Sequence, residues 1–427
     1  MVRGGSARQP TPFLPRCHPG SFAPHPHADP ELTGSERSSA GARSAHWIAL
    51  ASLAATAALA VVLLAGRNRP WPVTAATAVG DATCLSCHRQ QGTFELTAHR
   101  LTSRLTTGAS IAGSFAPGEN VLQTSNPTLH YRMDSTSHGF SQTAVVGAPP
   151  NGTEHSEQIA YVIGSARKGQ TYLYARGDAL FELPVSYWTS LHRWINSPGY
   201  YDGSVNFGRP ATPRCLECHS TWFQSAFDST ATNRYVLASA TLGITCERCH
   251  GAGGAHVARE QSPLRVLGPA ILDPARLPRA RQIDGCAQCH GGAGRLKDAA
   301  FGYLPTRPLA QHLELDPAPI GAQVDVHGNQ VALLERSRCF RASNMTCSTC
   351  HDVHRVQRDT KELSGRCLAC HQARTHQPIP AQTKPLAGRC VDCHMPLQTS
   401  NLIVSQHEGV SERPKVRTHW IKIYPER

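Results

Sequence analysis

Bulky side chains are scarce in this chain of 427 residues: aromatic residues make up 6%, methionine occurs four times, and glycine and proline contribute 35 and 31 positions. That composition argues against a domain packed mainly from large side chains on long regular elements. Charge is thin as well, at 17% of residues, and acidic groups are the minority, with 30 Asp and Glu against 42 Lys and Arg. The resulting formal charge of +12 would, taken alone, suggest a nucleic acid or a membrane surface as partner.

Cysteine and histidine are abundant instead, at 16 and 23 residues. Fourteen of the cysteines fall into seven identically built motifs. These are Cys84-Leu-Ser-Cys87-His88, Cys215-Leu-Glu-Cys218-His219, Cys246-Glu-Arg-Cys249-His250 and Cys286-Ala-Gln-Cys289-His290, followed by Cys347-Ser-Thr-Cys350-His351, Cys367-Leu-Ala-Cys370-His371 and Cys390-Val-Asp-Cys393-His394. Two thiols three positions apart match the two vinyl groups on one edge of a porphyrin, and the next imidazole falls under the iron. Zinc knuckles, redox dithiols and disulfides share the cysteine spacing, but none of them requires the histidine. Its chance occurrence after all seven pairs has odds of about one in a billion. The motifs therefore predict seven covalently attached haem c groups.

Seven haems between residues 84 and 394 leave roughly 45 residues for each. The expected fold is a mainly α-helical or irregular multihaem cytochrome c with a haem-filled core, spanning 81–427. The long gap after the first motif is the exception. Thr128 to Met133, Gln158 to Ile163, Thr171 to Ala175 and Leu180 to Val185 are rich in β-branched and aromatic residues, with a turn at Arg176-Gly177-Asp178. They predict a small antiparallel β-insert at about 126–190. Trp188, Trp194, Tyr200 and Tyr201 are expected as wall residues beside a porphyrin.

The cofactors change the meaning of the net charge. A ferric haem between two neutral imidazoles carries about one negative charge and a ferrous one about two. Seven would offset roughly 7 to 14 positive charges, which makes the Arg surplus propionate partners and solvated surface and excludes nucleic acid as a partner. Residues 46–65, HWIALASLAATAALAVVLLA, are just long enough to cross a bilayer. Arg37 and Arg43 precede the run and Arg67 and Arg69 come after it; five arginines in all precede it, which directs the chain beyond the run outward. The expectation is a transmembrane helix, after a disordered segment 1–45 and before a linker 67–80, with the haem domain on the periplasmic side of a bacterial cytoplasmic membrane. A cleaved signal with Ala76-Thr77-Ala78 near its cleavage site is the rival reading.

The irons also need second ligands. Met133, Met345 and Met395 are too few, so histidine on both faces is the default. His354, His376 and His256 come after motif histidines too closely to reach around the same ring and must serve a neighbouring haem. His99, His327, His407 and His419 complete the set of seven, with His130, His138, His155, His192 and His312 in reserve. Cys17 lies on the cytoplasmic side, and Cys339 is expected as a buried structural thiol.

Several segments carry a further likeness: Tyr161-Val-Ile-Gly164-Ser165, Leu183-Pro184-Val-Ser186-Tyr-Trp188, Ser197-Pro198-Gly199-Tyr200 and Gly243-Ile-Thr-Cys246-Glu-Arg-Cys249-His250-Gly251 with Ala255-His256-Val257. To these add Ser337-Arg338-Cys339-Phe340, Cys347-Ser-Thr-Cys350-His351-Asp352-Val-His354 and Cys390-Val-Asp-Cys393-His394-Met395-Pro396. Over residues 81 to about 420 the chain resembles the multihaem cytochrome c family with cytochrome c-552/4-like doubled motifs, often fused to tetratricopeptide repeats that have no counterpart here. The resemblance implies distal ligation by the histidines matching His99, His256, His327 and His354, and a distant similarity to hydroxylamine oxidoreductase. Two functions are therefore expected. One is an electron carrier between a quinol-linked donor and redox partner proteins outside the cytoplasm. The other is an oxidoreductase of a small nitrogen or sulfur compound at one five-coordinate haem, although no motif exchanges its histidine for lysine.

Overall fold

The computed structural model describes residues 52–53, 56, 78–227, 230, 232–262, 271–317, 328–372 and 388–424. The apolar run 46–65 lies outside them except for three positions, and the segments 1–45 and 67–77 lie outside them altogether. No helix among the described residues is long and apolar enough to cross a membrane.

Strand-forming sequence dominates the first half. β1 (Ser103–Leu105), β2 (Val121–Gln123), β3 (Leu129–Thr136), β4 (Gly139–Val146), β5 (Thr153–Gln158), β6 (Tyr161–Ile163), β7 (Gly169–Arg176), β8 (Ala179–Glu182), β9 (Val185–Trp188), β10 (Arg193–Asn196) and β11 (Arg209–Pro210) make two antiparallel sheets. One has the order β2-β3-β4-β5; the other runs β1-β6-β7-β8-β11, with β9 joining β7 to β10. Gly177, at φ 63°, turns the chain between β7 and β8, where Arg176 pairs with Ala179. A glycine suits that position because a Cβ disfavours the left-handed region. Strand β3 alternates buried and partly exposed residues, the period-2 pattern of a half-buried strand.

The expectation of a mainly helical or irregular, haem-filled fold is therefore overturned. Nineteen strands occur among the described residues, and the longest helix there, Arg279–His290, has twelve residues. The core is made of side chains. Tyr131, Met133, Tyr172, Tyr174, Leu183 and Trp194 fill one cluster, and Leu180, Leu216, Phe223, Tyr235 and Phe301 fill a second. The composition misleads because the few aromatics are concentrated in these sheets. Trp194 packs on Phe115, Tyr172 and Tyr187, and Tyr200 lies under the Arg209 guanidinium. Neither needs a porphyrin for burial, and Tyr201 is 82% exposed.

Beyond the sheets, helices are short, and six of the nine among the described residues carry a cysteine motif or its first cysteine. α1 (Asp81–Cys87), α2 (Pro213–His219), α3 (Cys246–His250), α4 (Gly254–Gln261), α5 (Arg279–His290), α6 (Gln330–Glu335), α7 (Arg338–Arg341), α8 (Thr360–Cys367) and α9 (Cys390–His394) alternate with two-stranded ribbons. One ribbon pairs β12 (Ser220–Ser225) with β13 (Tyr235–Leu242), so it starts directly after His219 and ends just before Cys246.

Gly243 closes that ribbon at φ 73°, and a Cβ there would come within 2.2 Å of the Arg100 carbonyl oxygen. Gly243→Ala is expected to cost at least about 2 kcal/mol, from backbone strain plus the clash. The urea midpoint reads this directly, and an unchanged midpoint would show that the turn does not set the position of the chain at Arg100.

Candidate functional site

Each cysteine motif forms a helical turn. The amide of the motif histidine donates to the carbonyl of the first cysteine in His88 to Cys84 (2.8 Å), His351 to Cys347 (2.9 Å) and His371 to Cys367 (2.9 Å). Residues i, i+3 and i+4 of a helical turn lie on one face, which puts both thiols and the imidazole on the same side of the backbone.

Four motif imidazoles face a second imidazole from a remote part of the chain. Ring centroids are 6.2 Å apart for His88 and His256, for His250 and His354, and for His99 and His290, and 6.3 Å apart for His351 and His419. Rings stacked squarely face to face would lie closer, at about 3.5–4 Å, while edge-to-face aromatic pairs span about 4.5–7 Å. His99 and His290 meet at an interplanar angle of 81°, against 22–30° in the other three pairs. A metal–imidazole nitrogen bond is about 2.0–2.1 Å. With roughly 1 Å more from that nitrogen to the ring centre, two imidazoles on opposite sides of one metal atom stand about 6 Å apart. The residues present thus fit a group whose iron takes one imidazole on each face. No cluster of three or more metal-ligating side chains occurs among the described residues, and an iron already held by four porphyrin nitrogens does not require one.

Three motif histidines have their outer ring nitrogen held. His219 Nδ1 lies 2.9 Å from Thr102 Oγ1, His250 Nδ1 2.9 Å from the Leu272 carbonyl, and His394 Nδ1 2.9 Å from the Lys422 carbonyl. Such bonds fix the tautomer and leave Nε2 for a metal. Burial, with His290 and His351 close by, pushes His99 down to about 4. His419 falls to about 4 from burial and from its approach to His351. Both are neutral near pH 7, the form that ligates metals.

Other expected ligands stand differently. His327 and His376 lie outside the described residues. His407 is buried at the end of the short strand Ser405–His407, with Nε2 3.5 Å from Glu412, and no ring contact joins it to a motif histidine among the described residues. The reserve His312 bonds a carboxylate instead, and His155 stacks on Phe207. Cys339 is half-buried rather than buried. Thiols of different motifs also meet: Cys84 with Cys246, Cys218 with Cys289, Cys286 with Cys347, and Cys367 with Cys390. The bond from Cys286 lowers the Cys347 thiol to about 7.

The residues between the cysteines were not recognised as functional from sequence. Glu247, inside the third motif and 1% exposed, accepts from the amides of Val79 (3.0 Å), Gly80 (3.1 Å) and Gly253 (2.8 Å). Asp81 accepts from the Cys246 amide at 2.9 Å and pairs with Arg100 at 2.9 Å. These bonds tie the start of α1 to α3 and bring the first and third motifs together. A carboxylate between two cysteines was the available signal. No protein-family model matches the chain, and neither a curated protein nor a solved structure matches it.

Glu247→Ala leaves one buried and two part-buried amides without their acceptor and is expected to cost roughly 3 kcal/mol. Urea unfolding tests this, and a loss under about 0.5 kcal/mol, the size of an ordinary surface change, would count against the tether.

Proposed function

We propose that this protein is an extracytoplasmic heptahaem c-type cytochrome that carries electrons. Each Cys-x-x-Cys-His motif holds one haem c by two thioethers and one axial imidazole, which accounts for Cys84, Cys87, Cys215, Cys218, Cys246, Cys249, Cys286, Cys289, Cys347, Cys350, Cys367, Cys370, Cys390 and Cys393. The single observation that carries the reading is the set of four imidazole pairs at 6.2–6.3 Å, each joining a motif histidine to one from elsewhere. In this reading His256 serves the first motif, His354 the third, His99 the fourth and His419 the fifth.

The bound group supplies reversible one-electron chemistry at iron. The four pairs would place two imidazoles on each of four irons and would leave those irons without a vacant position for a substrate. That favours a carrier over an enzyme at the paired sites. The likeness of the motifs to the cytochrome c-552/4-like family agrees with a carrier working between a quinol-linked donor and redox partner proteins. Residues 46–65 would carry the export signal, since covalent attachment to this motif takes place after translocation.

Intact mass of the native protein is expected to fit seven haems; a mass fitting none would sink the reading. His256→Ala is expected to keep all seven and to convert one low-spin iron to a high-spin one that binds carbon monoxide after reduction. An electron paramagnetic resonance spectrum identical to that of the unchanged protein would remove His256 as a ligand.

A further inference from the structure

Glu217 occupies the second intervening position of the motif Cys215-Leu216-Glu217-Cys218-His219, and it is 0% exposed. A carboxylate in such a place needs strong compensation to stay charged. Three hydrogen-bond donors and two guanidinium groups supply that compensation. Oε1 accepts from His312 Nε2 at 2.9 Å, from the Phe301 amide at 2.9 Å and from Gln288 Nε2 at 3.1 Å. Arg214 Nη1 lies 3.4 Å from Oε2, and Arg248 Nη2 lies 3.7 Å from Oε1. Arg248 also donates to the Glu217 backbone carbonyl at 3.2 Å.

The partners come from particular places. Arg248 is an intervening residue of the third motif and Gln288 of the fourth, so one carboxylate joins the spacer residues of three motifs. Cys218 and Cys289 meet at the same junction. A merely structural anchor would be served by any well-packed group. A charged one at this depth acts on whatever charge changes nearby, because the surroundings screen it weakly.

We propose that Glu217 is a positioning residue for electron transfer: it clamps the second, third and fourth motifs into one unit, and its fixed negative charge, set against Arg214 and Arg248, holds down the reduction potentials of the haems they carry. The proposal rests on the cytochrome reading above. A negative charge stabilises ferric over ferrous iron, so its loss leaves two arginines that favour the reduced state.

Haem count by intact mass of the unchanged protein comes first, because a mass without haem overturns the cytochrome reading itself before any variant is made. Spectroscopic redox titration then compares Glu217→Gln, Glu217→Asp and Arg214→Gln, each checked for seven haems. Glu217→Gln is expected to raise the midpoints of a subset of haems by about 59 mV, a tenfold change in the ferric to ferrous ratio for one electron. Glu217→Asp restores the charge and should return most of that shift. Arg214→Gln removes a positive charge and should move the same subset downward. If Glu217→Gln fails to fold or to load, the sign of the Arg214→Gln shift decides. Midpoints unchanged in a fully loaded Glu217→Gln, or an upward shift in Arg214→Gln, would overturn the proposal.

Discussion

Four pairs of imidazole rings with centroids 6.2–6.3 Å apart join distant parts of this molecule, and in all four the two rings come from segments far apart in sequence. A spacing of 6.2 Å tolerates little error, so the backbone bearing each ring must be held from several sides. His99 illustrates the point: its carbonyl accepts from the Ile244 amide at 2.9 Å, directly beside the third motif, while its ring faces His290 of the fourth. The sheets supply the rigid side of this arrangement. Strand β1 pairs with β6, and Ser103 on β1 bonds both Ser220 and the Gly243 amide, which ties the sheet to the ribbon between the second and third motifs.

Buried charge is the second organising device. Glu217, Glu247 and Asp81 all lie in or beside cysteine motifs, all are under 10% exposed, and all bond to a different motif or its flank. Apolar contacts between such short helices would slide, because they have no directional preference. A carboxylate with three fixed donors does not slide, and leaving those donors unmet is costly. The spacer residues of this chain therefore take the part that long packed helices play in larger helical domains.

Much of the candidate site was legible in the sequence and much of the fold was not, for different reasons. A Cys-x-x-Cys-His motif is a local pattern, so the residues from Cys84 to His394 that form the seven motifs could be read position by position. His256 and His354 could be assigned to other motifs from their spacing alone, and the structure sets their rings 6.2 Å from those of His88 and His250. His407 was not separable from His419 by such reasoning: both are C-terminal, and only the fold turns one toward His351 and the other toward Glu412. The β architecture was underestimated because an overall aromatic content of 6% hides how densely Tyr131, Tyr172, Tyr174, Trp194 and Tyr235 are gathered in the sheets.

The pairing of remote rings has a consequence for assembly. A chain delivered N-terminus first presents His88 long before His256, and His99 long before His290, so its earliest motifs stay unfinished until most of the chain has arrived. Contacts of such long sequence separation make for slow closure. During that interval thiols from different motifs, such as Cys84 and Cys246, are brought side by side before either is capped. On the cytochrome reading proposed above, maturation of this chain would be a race between thioether formation and mispairing of sulfur, and the order in which its motifs are sealed would matter as much as their number.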